Sequence, residues 1–315
     1  MGYPCSVSFV LIAYNQEAFI REACEAALNQ VGDPIEIVLS DDSSTDRTFQ
    51  IMREVAQSYT GSHRIILNRT EKNVGLIEHI NQVVALSSGE VIVYAAGDDV
   101  SDPYRVQKTM SLFDFQEKKS LLVHSCVQEI NVHGGHLTIW RPAVFGKNYD
   151  CMQMAQKYSL IIGATCAWHR SIWQTFGRLC YSESYEDAIM AVRACMMNGA
   201  QALAYIDEPL VQYRISAGGV SQGGRNKPKK RLERQQFELK RLRTRSAICN
   251  QRLDDARCIG AKEMIELLEQ EQKNNQTFRL VYEKKVNGWG IFLYALKNQS
   301  LSTMLASVLK RWRCM

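Results

Sequence analysis

The sequence predicts an α/β fold with a mostly parallel sheet flanked by helices and with a helical C-terminal extension. Residues 6–95 alternate between Val- and Ile-rich apolar runs and segments with helical apolar spacing, which is typical of βαβ units. A hydrophobic content of 46 % over 315 residues supplies a large core and excludes a disordered chain or a disulfide-stapled mini-domain. After residue 222 the apolar residues recur only with helical spacing. We therefore predict one domain at 1–222, large enough for an enzyme, and a basic, helical region at 223–315.

The elements of the first half follow from these two periods. Each predicted strand is apolar on both faces, as expected inside a parallel sheet. The first helix carries a stripe at i, i+3, i+4, i+7 and i+8, and the second opens on a capping box from Ser43 to Asp46. The predicted strands are Ser6–Ala13, Ile35–Ser40, Arg64–Leu67 and Val91–Ala95, and the helical stripes begin at Ile20, Ile51 and Leu76.

The second half has a looser pattern of elements. We predict a helix over Pro103–Lys119, a strand over Leu121–Val127 and a hairpin at Gly134-Gly135. A further helix begins near Tyr185 and ends at Asn198, where the following glycine is a typical C-terminal signal.

Charge and cysteine usage indicate the compartment and the partners. The chain has a net charge of +5, and Arg225–Arg257 holds 12 Lys/Arg against 4 Asp/Glu, which leaves the remainder at −3. A basic segment on a mildly acidic body favours an anionic partner such as a membrane surface. Since the 10 cysteines include no C-x-x-C pair and no signal-peptide pattern opens the chain, we expect reduced thiols and a cytoplasmic protein.

Polar and acidic residues follow the predicted parallel strands at the points where these strands end. They are Tyr14-Asn15 after the first strand, Asp41-Asp42 after the second and Asp98-Asp99 after the fourth. Ligands of open parallel sheets bind beyond the carboxyl ends of the strands. One isolated Asp-Asp pair would more simply form a turn or cap a helix, whereas several converging loops favour a site for Mg²⁺ or Mn²⁺.

Several motifs follow one another in the first 220 residues, namely Val7–Asn15, Glu36–Thr48, Asn73–Gly75, Ser88–Ile92 and Ala96–Asp99. In residues and in order they resemble family 2 glycosyltransferases, which are inverting enzymes with the Rossmann-like GT-A fold of nucleotide-diphospho-sugar transferases. The likeness is to bacterial members that build surface polysaccharides. The resemblance implies a nucleoside-diphosphate sugar as donor and a divalent metal ion, Mn²⁺ or Mg²⁺, as cofactor.

The resemblance also implies roles for individual residues in donor binding. It assigns the metal to Asp99 and Asp98, which stand side by side here without the spacer of the family motif. Arg214 would clamp the diphosphate, with a solvated surface arginine as the alternative. The residues that it assigns to the nucleotide sugar are Ala13, Tyr14, Glu17, Asp42, Asn73, Asn81 and Asp98.

A Glu-Asp pair at a predicted helix start provides a candidate general base. The segment Ser184–Arg193 resembles the corresponding family motif and implies that Asp187 takes the proton from the acceptor hydroxyl. Adjacent helix residues point about 100° apart, so only one of Glu186 and Asp187 can face a cleft. Helix capping is the alternative role for both carboxylates. Glu186, Trp168 and His169 are placed near the acceptor, with core packing as the alternative for Trp168.

Together these features predict a transferase that moves one sugar, from a UDP-sugar in our interpretation, to a glycan or lipid-linked hydroxyl in O-antigen (lipopolysaccharide) or capsule assembly. A sugar nucleotidyltransferase or a nucleic-acid-binding protein using the basic segment are the alternatives. The first lacks its Gly-rich signature and the second its interleaved aromatic residues, so no nucleic acid partner is expected. An apolar stripe from Leu301 to Trp312 predicts a packed helix or an interfacial helix on the inner face of the cell membrane.

Overall fold

The computed structural model describes residues 6–113, 120–142, 150–215 and 231–283. The chain divides into two compact units. The sheet unit consists of Met1–Ser182 and Glu186–Ser216, and the helical unit consists of Glu183–Tyr185 and Ala217–Met315. The boundary that we predict at residue 222 falls in 216–230, outside the described residues.

The described elements alternate as the sequence predicts through the first four strands. The strands are β1 (Val7–Ala13), β2 (Glu36–Asp41), β3 (Arg64–Arg69), β4 (Val91–Ala96), β5 (Val100–Ser101), β6 (Leu122–Ile130), β7 (His136–Trp140), β8 (Ala167–His169) and β9 (Leu203–Arg214). The helices are α1 (Ile20–Leu28), α2 (Thr48–Ser58), α3 (Leu76–Leu86), α4 (Arg105–Met110), α5 (Cys151–Ala155), α6 (Ser171–Phe176), α7 (Glu186–Asn198), α8 (Arg231–Cys258) and α9 (Lys262–Tyr282). Short 3₁₀ turns lie at Gly163–Thr165 and Ala200–Ala202.

The strands form one mixed sheet in the order β3-β2-β1-β4-β8-β6-β9-β5, and β7 pairs with β6. The neighbours β3, β2, β1 and β4 are all parallel. Beyond β4 the sheet is mixed, because β8 runs antiparallel to both β4 and β6, whereas β6 and β9 are parallel. The predicted α/β class and its flanking helices are confirmed, and the parallel part is confined to the first half.

The strand register brings the ends of β1, β2 and β4 to one place, which we call the carboxyl edge. Ala13 lies opposite Asp41, and Ile12 lies opposite Ala96. The loops that follow these strands therefore start side by side. This is the convergence of polar loops that the sequence predicts.

The core of the sheet unit lies between the parallel strands and the helices of one face. All seven residues of β1 are buried, and α1 buries the whole predicted stripe that starts at Ile20. Phe9, Leu11, Leu39 and Met52 are among the apolar side chains of this cluster. Burying such a side chain contributes about 1.5–3 kcal/mol each, so this layer makes the carboxyl edge a rigid support.

Two helix predictions differ from the structure at their ends. The helix expected over Pro103–Lys119 is described only as α4, which ends at Met110, and 114–119 lie outside the described residues. The capping box at Ser43 is wrong, because α2 begins at Thr48 and Ser43 has a φ of +57° in the preceding loop. Asp46 instead accepts a hydrogen bond from the Thr48 N–H at 2.9 Å.

A disulfide joins Cys151, at the start of α5, to Cys195 in α7, with their Cα atoms 5.6 Å apart. The expectation that all cysteines are reduced thiols is therefore wrong for this pair. The two residues are 44 positions apart, so no local spacing in the sequence indicates their contact. The other described cysteines of the sheet and helical units include the buried thiols Cys24, Cys126, Cys166 and Cys249.

In the helical unit, α8 and α9 pack against each other. Buried apolar residues of both helices form the interface, including Ile248 and Leu268, and the Gln272 side chain donates to Asn250 Oδ1 at 2.9 Å. This confirms helices for the described part of the C-terminal region. No helix among the described residues is both long and apolar enough to cross a bilayer. The stripe predicted from Leu301 to Trp312 lies outside the described residues.

Candidate active site

The loops that follow β1 and β2 are locked together at the carboxyl edge. Asn15, at a φ of +52°, donates its N–H to Ser44 Oγ at 2.8 Å and accepts one from the Thr45 N–H at 2.9 Å. The exposed Glu17 accepts a hydrogen bond from the Arg47 N–H at 3.0 Å. Tyr14 stands beside this junction with 46 % of its surface exposed, so its ring is available to stack on a ligand.

The two aspartates after β2 have their oxygens committed to the protein. Asp41 is fully buried and accepts from both the N–H and the hydroxyl of Ser44. Asp42 accepts from the Val74 N–H at 2.9 Å through Oδ1 and from the Gly75 N–H at 2.9 Å through Oδ2. Asp42 therefore fixes the loop that carries Asn73, the residue directly before Val74. Asn73 itself is exposed.

The pair after β4 consists of one partly exposed and one buried carboxyl. Burial raises the pKa of Asp98, and a hydrogen bond from Gln16 and the charge of Arg214 oppose that rise. Burial and the adjacent Asp98 raise the pKa of Asp99 well above its usual range. Asp99 is 6 % exposed; its Oδ1 accepts the Arg214 N–H at 2.8 Å, and its buried Oδ2 has no hydrogen-bond partner among the described residues.

Arg214 is a buried structural residue rather than the solvated arginine that the sequence analysis held as the alternative. Its Nε donates to the Asp98 carbonyl at 3.0 Å, and its Nη2 pairs with Glu22 at 2.6 Å. Nη1 reaches the Asn131 and Val132 carbonyls. With these partners the guanidinium ties β9 to the β4 end, so the structure does not support a diphosphate clamp at this residue.

The Glu-Asp pair opens α7, as the sequence predicts. Glu186 is buried, and its Oε1 lies 2.1 Å from where a side chain at Gly163 would begin. Burial and the neighbouring Asp187 raise the pKa of Glu186 to about 8, so this carboxyl is protonated at neutral pH. Asp187 is partly exposed and accepts from the Ala188 N–H at 2.5 Å, so the predicted capping contact is present as well.

The two acidic pairs meet around Tyr94 near the end of β4. The charges of Glu186, Asp187 and Asp98 all add to the burial that raises the pKa of the Tyr94 phenol. The Tyr94 ring stacks on Trp168 with the ring centroids 5.5 Å apart. The structure therefore brings the predicted metal ligands and the predicted base to one site.

Three predicted site residues lie elsewhere or serve the scaffold. The Asn81 amide is buried and exchanges two hydrogen bonds with the Leu179 backbone, so it is not free to bind a sugar. Trp168 is fully buried, which confirms the core-packing alternative. His169 pairs with Val91, the first residue of β4, and hence lies at the opposite edge of the sheet. The antiparallel direction of β8 is the physical reason, and it places His169 far along the sheet from the ends of β1, β2 and β4.

The acidic pair after β4 has the donor set that a divalent cation needs. Among the described residues no three His, Cys, Asp or Glu side chains form a metal cluster. Asp98 and Asp99 nevertheless place two carboxyls together, and the bare Oδ2 of Asp99 requires a proton or a cation. Mg²⁺ and Mn²⁺ are commonly held by one or two carboxylates together with substrate phosphates and water. The residues present fit such an ion.

Sequence reasoning missed three residues that shape the site without a predicted role in it. Gly97 leaves room where any side chain would meet Gln16 Oε1 at 2.5 Å, and Gly163 does the same for Glu186. Arg105 is buried and donates to the Tyr94 carbonyl at 2.7 Å. The available signal was the glycine directly before Asp98, since a glycine at a strand end often marks a close approach of other groups.

Residues 8–173, more than half of the chain, match the family described as glycosyl transferase family 2. Together with the fold and the acidic edge, this match shows that the chain belongs to family 2 of the glycosyltransferases, as its motifs predict. The chain is similar to the putative glycosyltransferase EpsE of Bacillus subtilis, with 32 % identity over 34 % of this chain and 38 % of the relative. It spans 34–38 % of the length of this relative and three other curated relatives that it matches.

Solved structures with little sequence identity share the fold. Residues 1–349 of Staphylococcus aureus TarS in complex with UDP align with a TM-score of 0.60 at 13 % identity, covering 98 % of this chain and 92 % of that one. The mannosyltransferase PcManGT of Pyrobaculum calidifontis, in complex with GDP-Man and Mn²⁺, aligns with a TM-score of 0.54 at 16 % identity, covering 98 % and 87 %. These likenesses confirm the predicted GT-A fold.

Proposed function

We propose that the protein is a metal-dependent, inverting glycosyltransferase that moves one sugar from a nucleoside-diphosphate sugar to an acceptor hydroxyl. The observation that carries this proposal is that Asp98, Glu186 and Asp187 all lie near Tyr94, so that the acidic pair after β4 and the pair at the start of α7 meet at one place. A cation site and a base at one sheet edge are the two parts that such a transfer needs.

The donor nucleotide binds, in this proposal, over the interlocked loops of β1 and β2. Tyr14 supplies an exposed ring for the base, and Ala13, Glu17 and Asn73 would complete the nucleotide site in this proposal. Asp42 fixes the loop of Asn73 through both oxygens, and its Oδ2, which accepts only the Gly75 N–H among the described residues, keeps one lone pair for a ring N–H of the base. The UDP of TarS and the GDP-Man of PcManGT support a nucleoside-diphosphate donor, and we favour UDP.

Asp98 and Asp99 would hold the divalent ion, which supplies charge neutralisation for the leaving diphosphate. Asp98 is the more exposed of the two, so it is the member that we propose to contact the ion first. Asp99 holds the Arg214 backbone and so anchors the end of β9 against the same loop. Mn²⁺ in the PcManGT structure supports this type of cofactor.

Asp187 is the proposed general base. It is partly exposed, whereas Glu186 is buried and protonated at neutral pH, so Asp187 is the member of the pair that can accept a proton. It would take the proton from the acceptor hydroxyl while that oxygen attacks the anomeric carbon opposite the leaving diphosphate. A single displacement inverts the configuration and needs no carboxylate nucleophile.

The acceptor is proposed from the family resemblance alone, as a glycan or lipid-linked hydroxyl in O-antigen or capsule assembly. Such an acceptor places the enzyme in the cytoplasm or peripherally at the inner face of the cell membrane. The exposed basic residues of α8, among them Arg234, Lys240, Arg241 and Arg243, support attraction to anionic lipid.

Calorimetric titration with UDP and with GDP, each with Mn²⁺ and then with chelator, tests the donor site. We expect UDP binding that depends on Mn²⁺ and that Asp98→Ala removes, whereas Glu263→Ala, an exposed carboxylate in the helical unit, keeps it. If neither nucleotide binds under any condition, the proposed activity is wrong even though the family fold remains.

A further inference from the structure

Arg214 places a buried positive charge in contact with the acidic pair of β4. Its side chain is only 2 % exposed. Its Nε donates to the Asp98 carbonyl at 3.0 Å, and its backbone N–H donates to Asp99 Oδ1 at 2.8 Å. The charge is thus fixed next to the two residues that would hold a divalent cation. Since like charges repel at short range, such a cation binds there only if the guanidinium is neutralised by another group.

The remaining donors of the guanidinium are engaged by groups outside the acidic pair. Nη1 donates to two backbone carbonyls of the turn that follows β6, at 3.3 and 3.4 Å. Nη2 donates to Glu22 Oε2 at 2.6 Å. Among the described residues, Glu22 is the only carboxylate that forms an ion pair with Arg214, and neither carboxyl of the β4 pair does so. The counter-charge of Arg214 therefore comes from α1.

The start of α1 holds the guanidinium by a ring and by a charge. The Phe19 ring, directly before α1, has its centroid 4.6 Å from the Arg214 Cζ atom. Glu22 lies in the first turn of α1, and 62 % of its side chain is exposed. A favourable interaction with the helix N-terminus is the alternative role of such a residue. A buried guanidinium that loses its partner is costly, so without Glu22 it would pair with another carboxylate.

We propose that Glu22 is a positioning residue that acts through Arg214: it neutralises and holds the guanidinium, and so leaves the Asp98 carboxylate available to the divalent cation of the donor complex. The inference rests on the proposed function and adds a residue that neither the motifs nor the family resemblance assigns. Without Glu22 only the acidic pair balances the charge of Arg214, and an Arg214–Asp98 ion pair competes with the metal. The role depends on the charge of Glu22 and not on its shape.

The test measures Mn²⁺ affinity at saturating UDP by electron paramagnetic resonance. Glu22→Gln keeps the length of the side chain and an acceptor oxygen but removes the charge, so we expect Mn²⁺ binding to weaken on the order of tenfold. Glu22→Asp keeps the charge on a shorter side chain and should stay within about threefold of the wild type. The control Glu25→Gln makes the same change at another exposed position of α1 and should stay within about twofold.

A role in packing or hydrogen bonding predicts the opposite order of the two variants, because Gln can still accept from Arg214 whereas Asp is too short to reach it. A loss in Glu22→Asp that equals or exceeds the loss in Glu22→Gln therefore overturns the inference. Wild-type Mn²⁺ affinity in Glu22→Gln also overturns it and leaves the proposed function standing.

Thermal unfolding in chelator verifies that each variant is folded. Glu22→Ala, which also removes the charge, takes the place of Glu22→Gln if the latter does not fold. If the wild-type protein itself binds no Mn²⁺ with UDP, the proposed function fails and the inference fails with it.

Discussion

The acidic pair after β4 and the acidic pair at the start of α7 each consist of one buried and one partly exposed residue. The order of the two along the chain is opposite in the two pairs. Asp98 is partly exposed and Asp99 is buried, whereas Glu186 is buried and Asp187 is partly exposed. In both pairs the buried member has a raised pKa, first because of burial and second because of its neighbour. Adjacent side chains cannot share one direction, so in each pair one residue is buried and the other is partly exposed.

The buried members differ in what holds them. Asp99 keeps a backbone donor, since the Arg214 N–H reaches its Oδ1 at 2.8 Å. Glu186 lies over Gly163, in space that only a glycine leaves open. Asp99 therefore links the end of β4 to β9, and Glu186 packs the start of α7 against the turn at Gly163. Two acidic residues that are adjacent in the sequence therefore differ in burial and in contacts once the chain is folded.

Asp187→Asn should have the largest effect on the reaction. The variant keeps its shape but cannot accept a proton, so we expect turnover to fall about 10³-fold, within the range of general-base catalysis. Binding of UDP and Mn²⁺ should remain unchanged. Radiolabelled sugar transfer measures the first and calorimetry the second, with the exposed Asp254→Asn as the matched control. Turnover of Asp187→Asn close to the wild type would remove this residue from the base role.

Replacing each member of the β4 pair by Asn should separate their roles in cation binding. We expect Asp98→Asn to weaken Mn²⁺ binding about 100-fold, because it removes the more exposed carboxylate. Asp99→Asn should cost about tenfold, because its amide oxygen still accepts the Arg214 N–H. Titration of Mn²⁺ at saturating UDP measures both, and equal losses would contradict the division.

Glu186→Gln should have the smallest effect on turnover and a clear effect on the pH dependence of stability. The pKa of Glu186 is raised from 4.5 to about 8 in the folded protein, so its proton stabilises the fold at low pH. This contribution is lost as the pH rises from 4.5 to 8, and the Gln variant has no such loss. Calorimetric unfolding at intervals between pH 5 and pH 8.5 should show the Tm of Glu186→Gln rising relative to the wild type.

A constant difference in Tm across that range would mean that Glu186 is already ionised at pH 5, so that folding does not raise its pKa. Turnover should stay within about tenfold of the wild type at pH 7, because a neutral amide replaces a carboxyl that is already neutral. A loss as large as that expected for Asp187→Asn would instead reverse the assignments within the pair.

Local patterns in the chain were sufficient to predict the first four strands to within two residues, the stripe of α1, and the start of α7 to within one residue. These features depend on contacts between residues a few positions apart, which spacing encodes directly. The family motifs added the acidic edge and the candidate base. By contrast, the Ser43 capping box was wrong because α2 begins only at Thr48 and Ser43 lies in a loop that Ser44 fixes through bonds with Asp41 and Asn15.

The sequence by itself determined the α/β class, the family and the acidic residues that border the site. Only the tertiary structure decided which acid of each pair is exposed, that Arg214 is buried against Asp98, and that His169 stands at the far edge of the sheet. It also decided the bond between Cys151 and Cys195. These outcomes depend on the direction of β8 and on contacts such as that between Asp99 and Arg214, which are 115 positions apart. Strand periodicity is a local property, whereas burial and orientation depend on the elements that pack against a residue from distant parts of the chain.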